Sequence, residues 1–433
     1  MKGERLYERG RQLIPGGTQL LSKRPEMFAP ERWPSYFSRA KGVQVWDLDG
    51  TEYTDMSIMG IGACILGYAD DDVDDAVVTA IRSGVASTLN CPEEVELAEL
   101  LIELHPWAGM VRYARSGGEA MAVAVRIARA ATRRDLVLFS GYHGWMDWYL
   151  AANLGEVDAL DGHLMPGLQP RGVPRGLRGS AVPFPVNDVA ALRDLVRGRE
   201  GELAAIVIEP ARGEEAPVDY LRRLAEFAKE MGAILIFDEI TSGFRMNAGG
   251  IHLRYGVNPD VAVLAKSMAN GYAMAAVIGR EPVMQAAQST FISSTNWTER
   301  VGPVAAIATI QKYRANRVHE HIVAIGNQVK QVWLSAAKLH GLAVRVSGLP
   351  SLANFAFESE HAQVMQTFFT LEMLRRGFLG YRQFKSSYAH TPAIVETYAR
   401  AVSEVFAALA SRDPASLLSS PPAHQGFARL THE

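Results

Sequence analysis

The sequence predicts an α/β protein: a mostly parallel central sheet flanked by helices, with a smaller α+β domain attached. Three observations carry this. The apolar runs "AAIVIEP" (204–210), "AILIFDEI" (233–240) and "DVAVLAKSM" (260–268) do not alternate with polar residues, as befits strands buried on both faces. Between the first two lies "DYLRRLAEFAKEMGA", where Leu221, Leu224, Ala225 and Ala228 recur at helical spacing and Gly232 supplies the stop. Strand, helix and buried strand in succession demand right-handed crossovers, hence parallel neighbours. After about residue 310 the pattern changes to amphipathic helices ("FFTLEMLRRG") around "LANFAFES", the mark of the smaller domain.

The remaining elements follow in order. Residues 1–60 read as an amino-terminal arm and part of the small domain, including a hairpin in "GVQVWDLDGTEY". Residues 61–310 form the large domain and 311–433 the carboxy-terminal part of the small one. "DDDVDD" (70–75) lacks the glycine and terminal glutamate of a calcium loop and reads as a solvated helix start. "MVRYARSGGEAMAVAVRIARAAT" (110–132) gives an extended piece, a glycine turn and a long alanine-rich helix. "DLVLFSGYHGW" (135–145) is a strand ending in a glycine-flanked turn. "HEH" (319–321) is helical, where positions i and i+2 do not share a face, so no metal site is expected there.

Bulk properties exclude several classes. Lys and Arg number 44 against 47 Asp and Glu, so neither nucleic acid nor an anionic membrane is demanded as a partner. Two cysteines, Cys64 and Cys91, make no disulfide framework and no zinc spacing. No apolar run approaches the ~20 residues of a membrane span, and "MKGERLYERGRQLIPGG" lacks the apolar centre of a secretory signal. A cytoplasmic protein is expected.

The strands end on polar residues: Glu209, Asp238, Lys266, and the turns at Ser116 and Tyr142. In open α/β sheets, ligands bind in the crevice beyond the carboxyl ends of the strands. Lys266 in "VAVLAKSMA" is flanked by apolar residues; a desolvated lysine attacks carbonyls to form a Schiff base, while a lysine at a strand exit also reaches water easily. Asp238 in a low-dielectric crevice suits a cation such as the protonated ring nitrogen of pyridoxal phosphate, and equally suits a structural turn cap. The glycines opening the helix in "SGGEAMAVAVR" leave backbone N–H groups for a phosphate, or form a plain turn. Tyr142 and His143 in "GYHGW" offer a ring for stacking on a planar cofactor, or for packing.

Order and spacing together carry a resemblance. "IPGGT" (14–18), "DLDGTEYTDM", "SGGEA", "YHG", "IEP", "FDEITSGFR", "AKSMANG" and "AHT" (389–391) resemble the class III aminotransferases, pyridoxal-phosphate enzymes of fold type I, and among them the glutamate-1-semialdehyde aminomutase-like members. The resemblance covers nearly the whole chain. It implies that Lys266 carries the internal aldimine and shuttles the proton. Asp238 would hold the pyridinium N–H and Glu209 would orient local hydrogen bonds. Ile240 and Tyr142 would cover the two ring faces, with Ser116, Gly117, Gly118 and His143 completing the cofactor site. It implies a homodimer whose active site is shared across the interface, with a threonine of the neighbouring copy reaching the phosphate. "S-x-T-x-x-x-E" in "FISSTNWTERVGPVAA" selects Thr295, and a gap-free match to the aminomutase pattern selects Thr298; Thr295 is preferred.

Departures matter too. Related sequences usually have a hydroxyl residue where Gly118 stands. The segment "WMDWYLAANLGEVDALDGHLMPGLQPRGVPRGLRGS" replaces a short glycine-rich gating loop, and Ile61 in "IMGIGACILG" stands where a substrate-side tryptophan is expected. Both changes point away from the aminomutase itself, toward an aminotransferase, or an aminomutase, acting on another substrate; the leading reading is an aminotransferase with a small-molecule amino donor and a carbonyl acceptor. An intramolecular aminomutase or racemase is the alternative, and a catalytically dead binding protein a third. Candidate carboxylate partners are Lys23, Arg24, Arg382 and Lys385; Arg171, Arg175 and Arg178 are candidates from a lid loop that is otherwise a solvated segment.

Overall fold

The computed structural model describes residues 2–156, 158–163, 167–211 and 213–425. The chain forms two compact units, Met1–Asp70 with Glu320–Glu433, and Asp71–His319. The first unit opens with β1 (Phe37–Lys41), β2 (Gln44–Asp47) and β3 (Glu52–Met56), an antiparallel meander. The expected hairpin is β2–β3: Asp47 Oδ1 accepts from the N–H groups of Asp49 (2.8 Å) and Thr51 (2.9 Å), which closes the turn.

The second unit holds a seven-stranded sheet of β4 (Met110–Ala114), β5 (Leu136–Ser140), β6 (Ala181–Pro183), β7 (Leu203–Ile208), β8 (Ile234–Asp238), β9 (Val261–Leu264) and β10 (Ala275–Gly279). Their order is β4-β10-β9-β8-β7-β5-β6. Pairings along β6-β5-β7-β8-β9 are all parallel. Only β10 runs against its neighbours, β9 and β4, so β4 again points the same way as β9. Strands β5, β7 and β9 are buried throughout, which explains why their sequences show no alternation. The run at 260–268 stops as a strand at Leu264, because Lys266 takes a left-handed backbone (φ +49°) and starts a short 3₁₀ turn.

Two helices illustrate how the sequence sets the layers. Helix Gly117–Thr132 begins with a capping box, in which Ser116 accepts from the Glu119 N–H and Glu119 reaches back to the Ser116 N–H. Its alanine-rich face, including Ala120, Ala124 and Ala128, is fully buried and lets the helix sit close to the sheet. Helix Val218–Met231 buries Tyr220, Leu221, Leu224, Phe227 and Ala228, and Gly232 ends it at φ +61°.

The carboxy-terminal part of the first unit adds β11 (Val344–Ser347), β12 (Leu352–Phe357), β13 (Phe378–Gly380) and β14 (Gln383–Lys385). β13 lies parallel to β3, while β11, β12 and β14 make a separate antiparallel sheet. An aromatic core packs beside them: Phe355 lies 4.9 Å from the Trp333 ring and 5.1 Å from Phe369. Among the described residues no helix is long and apolar enough to cross a membrane.

Each unit buries an uncharged histidine. In the second, His105 donates from Nδ1 to the Leu101 carbonyl (2.8 Å) and accepts at Nε2 from the Gly250 N–H (2.9 Å). In the first, His390 accepts at Nδ1 from the Ser387 N–H (3.0 Å) and donates from Nε2 to the Asp55 carbonyl (2.9 Å). Burial drives both imidazoles down from 6.5 to about 4. Below pH 6.5 the unfolded chain therefore takes up protons that the folded chain refuses, and stability is lost until the folded value is reached. Urea-unfolding free energy is expected to fall by about 1.4 kcal/mol per pH unit for each imidazole in that window. His390→Gln, which offers an acceptor and a donor without titrating, should flatten the slope. A stability that does not change with pH there would contradict the assignment.

Candidate functional site

Strands β4, β5, β7, β8 and β9 run the same way, so their carboxyl ends lie on one rim of the second unit. Asp238 closes β8 and is 3% exposed. Its Oδ1 accepts from the Ile240 N–H (3.1 Å), and its Oδ2 lies 2.8 Å from His143 Nδ1. His143 is itself buried, edge-on to Phe139 (6.0 Å) and Tyr149 (5.7 Å) and stacked on Trp148 (6.2 Å). The carboxylate is thus fixed in an aromatic, water-poor setting where a cation is strongly favoured.

Glu239, the next residue, belongs to the fold beneath. It is fully buried, accepts from the N–H groups of Ile251 and His252, and pairs with His252 Nδ1. Burial alone would push its carboxyl up, but His252 and the two backbone donors hold it below the usual range. His252 Nε2 in turn accepts from the Trp107 indole (2.8 Å).

The turn after β5 is fixed from three sides. Glu209, just beyond β7, accepts from the Tyr142 N–H at 2.9 Å. The Tyr149 hydroxyl donates to the Gly141 carbonyl (3.0 Å), and the Gly141 N–H donates to His163 (3.2 Å). Gly141 has φ +119°, and a Cβ there would lie 2.7 Å from Glu209 Oε2. The Tyr142 ring stays 38% exposed.

Lys266 is half-buried, and its ammonium donates to the Thr241 hydroxyl at 2.8 Å. Its left-handed backbone is an uncommon conformation for a side chain of this size, of the kind concentrated at functional sites. Thr241 follows Ile240, so a single segment holds the Asp238 carboxylate at one end and the Lys266 amine at the other. Thr241 is absent from the sequence-derived site; the signal for it was a hydroxyl two residues after the strand-ending acids.

At the helix start, the N–H groups of Gly117 and Gly118 make no hydrogen bond among the described residues. A Cβ on Gly117 would come within 2.9 Å of Ile240 Cδ1, and one on Gly144 within 3.1 Å of the Gly118 Cα. Only glycines allow this close approach, which joins the helix start, Ile240 and the "YHG" turn. Ser116 gives its hydroxyl to the Glu119 pair.

Thr295 stands apart. It is exposed, and its hydroxyl takes no partner among the described residues, whereas the Thr298 hydroxyl donates to the Thr295 carbonyl (2.9 Å). The segment is anchored nearby, since Arg115 donates to the carbonyls of Trp297 (3.0 Å) and Glu299 (2.6 Å). Arg171, Arg175 and Arg178 are exposed in the second unit, while Lys23, Arg24, Ile61, Arg382 and Lys385 belong to the first. No cluster of metal-ligating side chains occurs among the described residues.

The model of the family described as aminotransferase class-III matches residues 28–394. The chain is 32% identical over 420 residues to a 3-aminobutyryl-CoA aminotransferase of Cloacimonas acidaminovorans, covering 92% of this chain and 96% of that one. It is 33% identical over 420 residues to a glutamate-1-semialdehyde 2,1-aminomutase of Roseiflexus castenholzii, covering 91% and 94%. Among solved structures, the internal aldimine form of the FumI protein of Sphingopyxis sp. MTA144 superposes with a TM-score of 0.85 at 25% identity, over 96% of this chain and 99% of that one.

The Gly141 geometry yields a direct check. Gly141→Ala combines a left-handed backbone with a collision against Glu209, and is expected to destabilise the protein by about 1–3 kcal/mol. Denaturant unfolding measures it; a variant as stable as the parent would show that the turn yields freely.

Proposed function

The chain belongs to the class III aminotransferases, a pyridoxal-phosphate-dependent family, and on that premise we propose that Lys266, Asp238 and Tyr142 carry the transfer of an amino group between a small-molecule donor and a carbonyl acceptor. One observation supports this most: a single segment, 238–241, holds the Asp238 acid and the partner of the Lys266 amine, while its Ile240 touches the helix start whose N–H groups are unpaired. An acid, an amine, an apolar side chain and a phosphate-binding helix start are the parts that pyridoxal phosphate requires.

When bound, pyridoxal phosphate supplies an aldehyde and an electron-poor ring that accepts negative charge from the carbon bearing the amine. Asp238, braced by His143 and the Ile240 N–H, holds a proton on the ring nitrogen. Lys266 would hold the aldehyde through Nζ and, as a free amine, would carry the substrate proton on that atom. Thr241 orients that nitrogen. Ile240 and Tyr142 would cover the two ring faces, Gly117 and Gly118 would hold the phosphate through their N–H groups, and Glu209 fixes Tyr142 through its backbone N–H. We assign Thr295 to the phosphate of a neighbouring copy in a homodimer, because its hydroxyl is exposed and uncommitted while that of Thr298 is engaged. Cys64 and Cys91 form no disulfide among the described residues, which supports our reading of a cytoplasmic protein.

The identity to an aminomutase keeps the intramolecular reaction as a second reading. A panel of amino donors, 3-aminobutyryl-CoA included, offered without an acceptor separates the two. Stoichiometric keto product with a pyridoxamine-type spectrum indicates transamination; rearranged substrate indicates the mutase. Lys266→Ala should lower turnover on the order of 10²–10⁴-fold or more and abolish borohydride-fixed labelling at that position. Retained turnover would end this mechanism.

A further inference from the structure

We infer that the indole N–H of Trp145 donates to the cofactor phosphate, in place of the hydroxyl side chain that position 118 lacks. The inference rests on the cofactor reading above and adds to it a residue that the motifs do not assign. Trp145 is 66% exposed, although a tryptophan on a tight turn gains most by burying its ring. Its exposure does not leave the N–H pointing at random: a Cβ on Gly118 would lie 3.2 Å from Trp145 Nε1 and 3.3 Å from Cδ1. The polar edge of the indole thus rests against the first turn of helix Gly117–Thr132. Gly144 helps to set this position: its φ is +99°, and a Cβ there would press on the Gly118 Cα at 3.1 Å.

The donors at this spot outnumber the acceptors. Gly117 N–H, Gly118 N–H and Trp145 Nε1–H have no acceptor among the described residues. An indole nitrogen donates only, so it does not satisfy the helix N–H groups, nor they it. The carboxylate of the helix's first turn, Glu119, already accepts from the Arg115 and Ser116 N–H groups and from the Ser116 hydroxyl. Ser116 is thereby removed as an independent phosphate donor. Three unpaired donors beside the positive end of a 16-residue helix call for an anion with several acceptor oxygens, and a phosphate monoester has three. A hydroxyl side chain at position 118 would occupy the space that the indole edge now fills.

The test uses the full-length protein freed of cofactor. Trp145→Phe keeps an aromatic ring and removes the donor. Equilibrium dialysis measures the binding of pyridoxal phosphate and, separately, of pyridoxal, which lacks the phosphate. The variant is expected to bind pyridoxal phosphate roughly tenfold or more weakly, as for loss of a hydrogen bond to a charged group, with pyridoxal unchanged. Adding Gly118→Ser to Trp145→Phe should recover much of the loss. With [15N]indole-labelled parent protein, inorganic phosphate should shift the Trp145 Nε1–H resonance. Unchanged pyridoxal phosphate affinity in Trp145→Phe, or an equal loss for pyridoxal, would overturn the inference and reduce Trp145 to a packing role. A parent protein that takes up no pyridoxal phosphate at all would instead overturn the cofactor reading, and this inference with it.

Discussion

The rim depends on how β8 ends. Two acids in succession, Asp238 and Glu239, leave the strand, and the period-2 geometry of an extended chain sends neighbouring side chains to opposite sides. Asp238 meets His143 and the Ile240 N–H beside the rim. Glu239 goes into the body of the unit and gathers Ile251, His252 and, through His252, Trp107. A lone buried carboxylate would protonate or draw in water; here each has a partner on both of its oxygens, at opposite ends of one peptide unit. Glu239 fixes the backbone from which Asp238 projects. Loosening the inner acid would therefore move the outer one.

Close backbone approach is the second constraint. Gly117, Gly141 and Gly144 each occupy a place where a Cβ would strike Ile240, Glu209 or the Gly118 Cα. These contacts bring together the ends of four strands, β4, β5, β7 and β8, that are far apart in sequence. The glycines bring no side chain to the chemistry, yet their lack of one is what lets the helix start sit so close to Ile240 and the tyrosine turn so close to the helix. That explains how individually weak motifs can specify a site: each supplies a backbone shape that only the others make useful.

Much of this was legible in the sequence because the second unit is a parallel sheet, whose buried strands announce themselves as uninterrupted apolar runs. Rim residues could be found by asking where such runs stop. Legibility fails where an outcome depends on left-handed backbone. The run at 260–268 reads as one strand, but Lys266 turns the chain at φ +49° after Leu264. The antiparallel course of β10 was also hidden, since "AAVIG" is as apolar as its parallel neighbours. Thr241 escaped for a different reason: a threonine after a strand looks like any turn residue until the ammonium of Lys266 is found on its hydroxyl. Glu239 could not be told from Asp238 by composition; only the side each faces divides structural acid from site acid.

Transamination and intramolecular amine migration use the same acid, amine and phosphate donors, so what separates them must lie in other segments. By the resemblance read from the motifs, two segments are expected to depart from the aminomutase pattern. One follows the tyrosine turn, where Trp148 and Tyr149 pack around His143 and so continue the wall of the site itself. The other contains Ile61, in the first unit, within a run of left-handed residues: Met59 at φ +40°, Gly60 at +62° and Ile61 at +61°. Left-handed backbone at a methionine and a β-branched isoleucine is unfavourable by order of 1–3 kcal/mol each, and persists only where the surroundings enforce it.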